Sequence, residues 1–271
     1  MSSSGRVATV RALALTCHPG PTVAVTLLTG LLAWSVGMPW DRRALVTTAV
    51  LTGQLSIGWS NDLLDARRDR AVGRTDKPLA RGEVTERAVR AATATALAAT
   101  VVLSLACGWA SGTAHIVLVV GSGWAYNLWL KRSVLSPLPY AVAFGSLPAV
   151  VTLAAPVPAL PPAWVMATGA LLGVGAHLLN ALPDLADDEA TGVRGLPHVL
   201  GGPVVRWLAP TVLLVGSAVA AYGPGFDLVG GLLLLTCVLL AVVAVRARGR
   251  LPFMAAIGIA LVNAASLVLR G

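Results

Sequence analysis

Charge is what this chain has least of. Only 12% of its 271 residues are charged, where soluble domains carry about 25%. Mean hydropathy stands at +0.78. Together these values exclude an ordinary water-soluble globule and indicate an integral membrane protein. Cysteine is scarce as well. Cys17, Cys107 and Cys237 are odd in number, far apart and outside any C-x-x-C or Cys/His spacing, which excludes a disulfide framework or zinc site and leaves three apolar fillers. The N-terminus "MSSSGRVATVRALALTCHPGP" lacks the apolar core and cleavage site of a secretory signal, and reads as a mature end. Arg6 and Arg11, set among Val and Leu, suit a short interfacial helix. A formal charge of +8 would suit nucleic acid in a soluble protein. In a membrane protein Lys and Arg mark the cytoplasmic side, so no nucleic-acid partner is expected.

What the chain has is apolar length. Nine stretches approach the roughly 20 residues needed to span a bilayer: 20–38, 44–63, 88–108, 113–131, 137–155, 163–183, 205–222, 227–246 and 252–269. Short ends leave eight or ten as alternative counts. With nine spans and the N-terminus inside, 17 of the 20 basic residues fall on the inner side, against Arg42, Arg43 and Arg270 outside. The sequence therefore predicts an N-in, C-out protein of the plasma membrane.

The acids share that inner side, which basic-residue sorting does not require. "NDLLDARRD" sets Asn61, Asp65 and Asp69 at i, i+4 and i+8, with Asp62 three residues before Asp65. On a helix these project from one face at its inner end. "NALPDLADD" repeats the spacing with Asn180, Asp184 and Asp188, four spans later. The repeat suggests a single domain over 1–271 with an internal duplication of a roughly four-span unit, motifs at 61–69 and 180–188. Like charges at i, i+4 repel, and more so near a low-dielectric boundary. One such cluster could be juxtamembrane charge paired with Arg67, Arg68, Arg70 and Arg194. Two clusters of identical spacing favour a divalent cation, and hard oxygen ligands suit Mg²⁺ bridging to substrate phosphates. Basic residues lie beside both: Arg74, Lys77 and Arg81 in "AVGRTDKPLARGEVT", and Arg194 in "EATGVRGLPHVLG". Tyr126 and Lys131 close the fourth span at the same level. Each alone would be an interfacial anchor; beside two metal-binding clusters both are expected at the diphosphate.

With those motifs in that order, the chain resembles the UbiA-type intramembrane prenyltransferase superfamily over nearly its whole length. The resemblance rests on "NDLLDARRD", "DLADD" after "NALP", "DKPLARGEVT" and "YNLWLK". It implies an all-α membrane bundle around a central cavity under a cytoplasmic cap, binding a polyprenyl diphosphate through Mg²⁺. Carried over by residue, it assigns Asn61, Asp62, Asp65 and Asp69 to the first metal motif and Asp184 and Asp188 to the second, with Asn180 beginning it. Lys77, Tyr126, Lys131 and Arg194 match diphosphate-contacting positions. Ala181 stands where the second motif would mirror Asp62.

Such a site ionises an allylic diphosphate, with Lys77, Lys131, Arg74 or Arg194 and the metal stabilising the leaving oxygen. The cation then meets a small lipophilic, aromatic acceptor in a transferase, or an alkene of its own chain in a terpene cyclase. A transporter of anionic lipids is a third reading of the same charged face. His18, His115, His177 and His198 are scattered and supply no evident general base, although His177 is placed to line the cavity or sit in the core. Most of the eight Trp fall near span ends as an interfacial belt. Trp59 and Trp124 instead precede motif residues and could face the cation.

Overall fold

The computed structural model of the protein describes residues 3–190 and 192–270; the side chains of Arg6 and Asp187 lie outside the described residues. Among these residues the chain is helical, with no strand. Helix α1 (Ser3–Thr16) meets α2 (Pro19–Ser35) at a bend of 70°. Then come α3 (Trp40–Ala71) and α4 (Glu86–Ala106). Next follow the short α5 (Trp109–Ala114), a widened turn at His115–Val120, and α6 (Gly121–Leu128). Helices α7 (Leu138–Leu153) and α8 (Ala163–Ala181) lead to two short helices, α9 (Leu185–Ala190) and α10 (Leu196–Leu200). The chain closes with α11 (Gly202–Tyr222), α12 (Leu228–Arg246) and α13 (Leu251–Arg270).

Each apolar stretch marked above falls on one of these helices or, for 113–131, on the run of short pieces from α5 to α6. By length and apolarity, α4, α8 with the turn after it, α11, α12 and α13 qualify as spans, and α1 with α2 qualifies as a bent pair. α7 is apolar but shorter. Charge at both ends of α3, and Thr47, Thr48, Thr52, Gln54 and Ser56 along its middle, lower that helix's hydropathy.

Neighbours in sequence pack side by side, α2 on α3, α3 on α4, α7 on α8 and α12 on α13; α8 on α11 and α13 on α2 close the ring. Small residues allow the closest approach. A Cβ at Gly169 would lie 2.3 Å from the Phe144 carbonyl oxygen, and one at Gly173 would lie 2.6 Å from that of Tyr140. Backbone contact of this kind is how helices associate where no hydrophobic drive exists between them and lipid. Here it fixes the α7 aromatics against α8. Buried polar pairs add further ties: Thr100 to Thr52 (3.1 Å) and Asn263 to Ser217 (2.9 Å).

The second motif departs from the expectation of an unbroken helix through Asp184. α8 stops at Ala181, and a tight turn, Leu182–Asp184, separates it from α9. The cause is Pro183, which has no N–H for the Leu179 carbonyl and crowds it. Asn180 and Asp184 therefore do not share one regular helix face.

Candidate active site

The C-terminal end of α3 supplies the first group of carboxylates. Asp62, Asp65 and Asp69 are only 3%, 4% and 2% exposed, a degree of burial that an unpaired carboxylate would not tolerate. Each is met by cations. Lys77 Nζ lies 2.8 Å from Asp62 Oδ1 and 3.2 Å from Asp69 Oδ2. Lys131, itself buried, donates to Asp65 Oδ1 at 2.5 Å. Arg68 lies 3.2 Å from Asp65 and 3.8 Å from Asp69.

Arg68 also reaches across to the second motif, with Nη1 3.8 Å from Asp188 Oδ1. Arg74, on the loop after α3, donates to Asp184 at 3.2 Å and to Asp76 through both its Nε and Nη2. Residues 110 apart in sequence are thus brought together by Arg74 and Asp184, and residues 120 apart by Arg68 and Asp188. The loop holding Arg74 and Lys77 is pinned from inside: Leu79 and Val84 are buried in a small apolar cluster with Ala12, Ala66 and Val89. Thr85 then caps α4, accepting from the Ala88 amide at 3.2 Å.

The electrostatics follow from this crowding. Burial works to lower the Lys77 pKa, but Asp62 and Asp69 overcome it and hold the pKa raised. Burial raises the Asp188 carboxyl above its ordinary value, with Asp184 and Asp65 adding to the rise against Arg68. The hydrogen bonds from Arg74 hold Asp76 down to about 2.

Asn61 donates its amide to Asn127 Oδ1 (3.0 Å), so its remaining polar atom is the oxygen. Asn127 in turn donates to the Ile57 carbonyl and to Ser60, which fixes the Asn61 side chain. Beneath the carboxylates, the rings of Tyr126 and Tyr140 meet edge-on at 5.1 Å and Tyr140 stacks on Phe144 at 6.4 Å. The His177 ring lies 4.7 Å from Tyr140, and its Nε2 is 3.0 Å from Ser136 Oγ. Asn180 is exposed and hydrogen-bonds Tyr140. Phe144 then borders an apolar cavity of about 40 Å³ between α2, α7, α8 and α13, lined by Leu28, Leu32, Leu147, Leu172 and Leu267.

Most sequence-marked residues meet here: Asn61, Asp62, Asp65, Asp69, Arg74, Lys77, Lys131, Asp184 and Asp188, with Tyr126 just below. Arg194 does not, being exposed and 3.6 Å from Glu189. Trp59 does not either; its indole donates to the Leu13 carbonyl at 2.9 Å. Arg68, Asn127 and His18 were missed as site residues. Arg68 sat among ordinary juxtamembrane charge, and Asn127 and His18 belong to no charged cluster in sequence.

The donor set fits a hard divalent cation: carboxylate oxygens and one amide oxygen, with no sulfur. Among the described residues no three His, Cys, Asp or Glu are gathered in liganding geometry; the carboxylates meet the cations just named.

Residues 23–268 match the sequence profile of the UbiA prenyltransferase family. The bacteriochlorophyll synthase 33 kDa chain of Cereibacter sphaeroides is 37% identical over 199 residues, which cover 68% of this chain and 64%, just under two thirds, of that protein. The apo structure of a UbiA homolog from Aeropyrum pernix K1 superposes with a TM-score of 0.75 at 19% identity, covering 93% of this chain and 98% of the other. A UbiA homolog from Archaeoglobus fulgidus bound to GPP and Mg²⁺ gives 0.70 at 14% identity, over 95% and 99%. At such identities the solved structures share the fold.

Proposed function

Because the chain belongs to the UbiA prenyltransferase family, we propose that it is an Mg²⁺-dependent membrane enzyme that ionises a polyprenyl diphosphate and transfers the prenyl group to a small lipophilic, aromatic acceptor. The observation that carries this reading is the meeting of two aspartate motifs, from the end of α3 and from the turn after α8, around Arg68 and Arg74. Relatives bear on it too: one solved homolog holds GPP with Mg²⁺, and the curated relative is a bacteriochlorophyll synthase chain. We place nine spans in one domain that arose by internal duplication, with the N-terminus and the site on the cytoplasmic side of the plasma membrane and a cap of the loop 72–85 over it.

In this reading Asn61, Asp65, Asp69, Asp184 and Asp188 hold the Mg²⁺. When bound, the metal neutralises charge developing on the diphosphate oxygens. Lys131, Arg68 and Arg74 then turn from the carboxylates toward those oxygens and join the Lys77 ammonium there, Lys as point charges and Arg as forks. The allylic C–O bond breaks with its electron pair leaving on the diphosphate. Tyr126, Tyr140 and Phe144 present ring faces along the path from the carboxylates to the apolar cavity, where they shield the cation from water and guide the isoprenoid tail. An electron-rich acceptor carbon bonds to the allylic carbon, and the displaced ring proton leaves to diphosphate or water. Asn180 acts through Tyr140, and Arg194 joins the diphosphate only by leaving Glu189.

Purified protein incubated with geranyl, farnesyl or geranylgeranyl diphosphate, Mg²⁺ and a panel of phenols and quinone precursors tests the reading. Diphosphate release that depends on an acceptor supports transfer. A cyclic hydrocarbon formed without acceptor would assign the same site to a cyclase.

A further inference from the structure

Asp62 stands apart within the first motif. The second motif has Ala181 at the equivalent place, so the repeated metal-binding pattern does not require a carboxylate there. Its contacts differ in kind as well. One oxygen, Oδ1, takes both the Lys77 ammonium (2.8 Å) and the His18 Nε2 (2.9 Å). His18 is the only non-glycine residue among those described with a positive φ, at 56°. It sits at the 70° bend between α1 and α2. A strained backbone persists only where its surroundings over-determine it, and here they do. A Cβ at Gly58, one turn before Asp62, would lie 2.1 Å from the Cys17 carbonyl oxygen, so the bend rests directly on α3. That carbonyl accepts from Thr22 Oγ1 at 2.9 Å. Trp59 holds the Leu13 carbonyl, and Ala12 packs in one cluster with Leu79 and Val84 of the Lys77 loop.

Resting on the functional reading above, we propose that Asp62 is a positioning residue and not a metal ligand: through His18 it fastens the bend of the N-terminal helix, and through Lys77 it aims an ammonium group at the diphosphate beside Asp69. The N-terminal helix, the α3 end and the loop then move as one unit, and loosening the bend loosens Lys77.

Full-length protein in nanodiscs tests this with three readouts: Mn²⁺ affinity without phosphate, inorganic pyrophosphate affinity with Mg²⁺, and amide exchange over residues 8–17. Asp62→Asn and His18→Gly are each expected to weaken pyrophosphate about tenfold, the scale of one charge-assisted hydrogen bond. Both should leave Mn²⁺ affinity unchanged and speed amide exchange over residues 8–17. Glycine removes the imidazole while accepting the positive φ, so its effect reports the side chain. His18→Gln, whose amide N–H reaches as Nε2 does, should restore all three readouts. A tenfold loss of Mn²⁺ affinity in Asp62→Asn, with His18→Gly like wild type, would make Asp62 a ligand and overturn the proposal. If wild-type protein binds no pyrophosphate, the functional reading fails and the Lys77 half of this proposal fails with it; unchanged exchange in His18→Gly would sink the other half.

Discussion

Lys131 Nζ lies 2.5 Å from Asp65 Oδ1, both side chains almost fully buried, one from the segment after α6 and the other from the end of α3. A buried ion pair is weak evidence for stability, but breaking one is costly because the survivor is left charged and dry. Lys131→Met leaves Asp65 with Arg68 at 3.2 Å and is therefore expected to destabilise the metal-free protein by about 2 kcal/mol, the scale of one hydrogen bond to a charged group. Mg²⁺ should recover much of that loss by taking the ammonium's place beside Asp65, while turnover stays at least about a hundredfold down for want of a cation at the leaving oxygen. Thermal unfolding with and without Mg²⁺, beside turnover, reads both effects. Equal destabilisation with and without metal would argue that Asp65 does not face a cation site.

Arg68 pairs with oxygens of Asp65, Asp69 and Asp188, carboxylates that in the proposed function hold the metal. Removing it leaves carboxylates that repel one another, a state a divalent cation relieves. Arg68→Ala should bind Mn²⁺ more tightly than wild type, by about tenfold for one lost charge-assisted contact. Turnover should fall. Unchanged or weaker Mn²⁺ binding would show that Arg68 does not stand in the metal's place.

Asp188 carries a raised pKa, chiefly from burial. A carboxyl raised in the fold costs stability wherever it is ionised in both states, at pH above its folded pKa, and that cost disappears as pH falls through the folded value toward the unfolded one near 3.9. Asp188→Asn should therefore stabilise the metal-free protein at neutral pH, with the gain shrinking as pH falls. Denaturation midpoints of the two proteins measured between pH 4 and 8 without metal check the sign. A gain that grows on acidification would contradict it.

Leu147 lines the apolar cavity beyond Phe144 and is 2% exposed. If the tail runs along the aromatic column into that space, Leu147→Trp blocks its far end. Preference among geranyl, farnesyl and geranylgeranyl donors should move to the shortest, by about tenfold or more in kcat/KM for one excluded isoprene unit. A uniform drop over all three would place the tail elsewhere.

How far the sequence reached is visible at these residues. The first motif was readable because an unbroken helix converts i, i+4, i+8 from Asn61, and i, i+3, i+7 from Asp62, directly into a face, and the structure gathers Asp62, Asp65 and Asp69 there with Lys77 and Lys131. The second motif was readable as a repeat of residue types but not as geometry. Pro183 ends α8, and the chain turns before Asp184, a break that repeat spacing alone hides. Arg68 looked like any arginine in "DARRDR"; its role depends on Asp188 lying across from it, which is a matter of tertiary packing. Trp59 failed as a cation-facing ring for a similar reason, because the N-terminal helix folds back to offer it the Leu13 carbonyl. The α7 aromatics gave no signal either: Tyr140 and Phe144 sit in an apolar run, and the glycines that seat them belong to another helix.

The most direct measurement is single-turnover release of inorganic diphosphate from a radiolabelled prenyl diphosphate, with Mg²⁺ and acceptor, by wild type, Asp65→Asn and Asp184→Asn. We expect Mg²⁺-dependent release by wild type and a loss of at least about a thousandfold in each variant, the scale of removing transition-state charge stabilisation, with both variants folded and membrane-inserted. Release at near wild-type rates in either variant at saturating Mg²⁺ would contradict the assignment of the two motifs to one metal-bound diphosphate site.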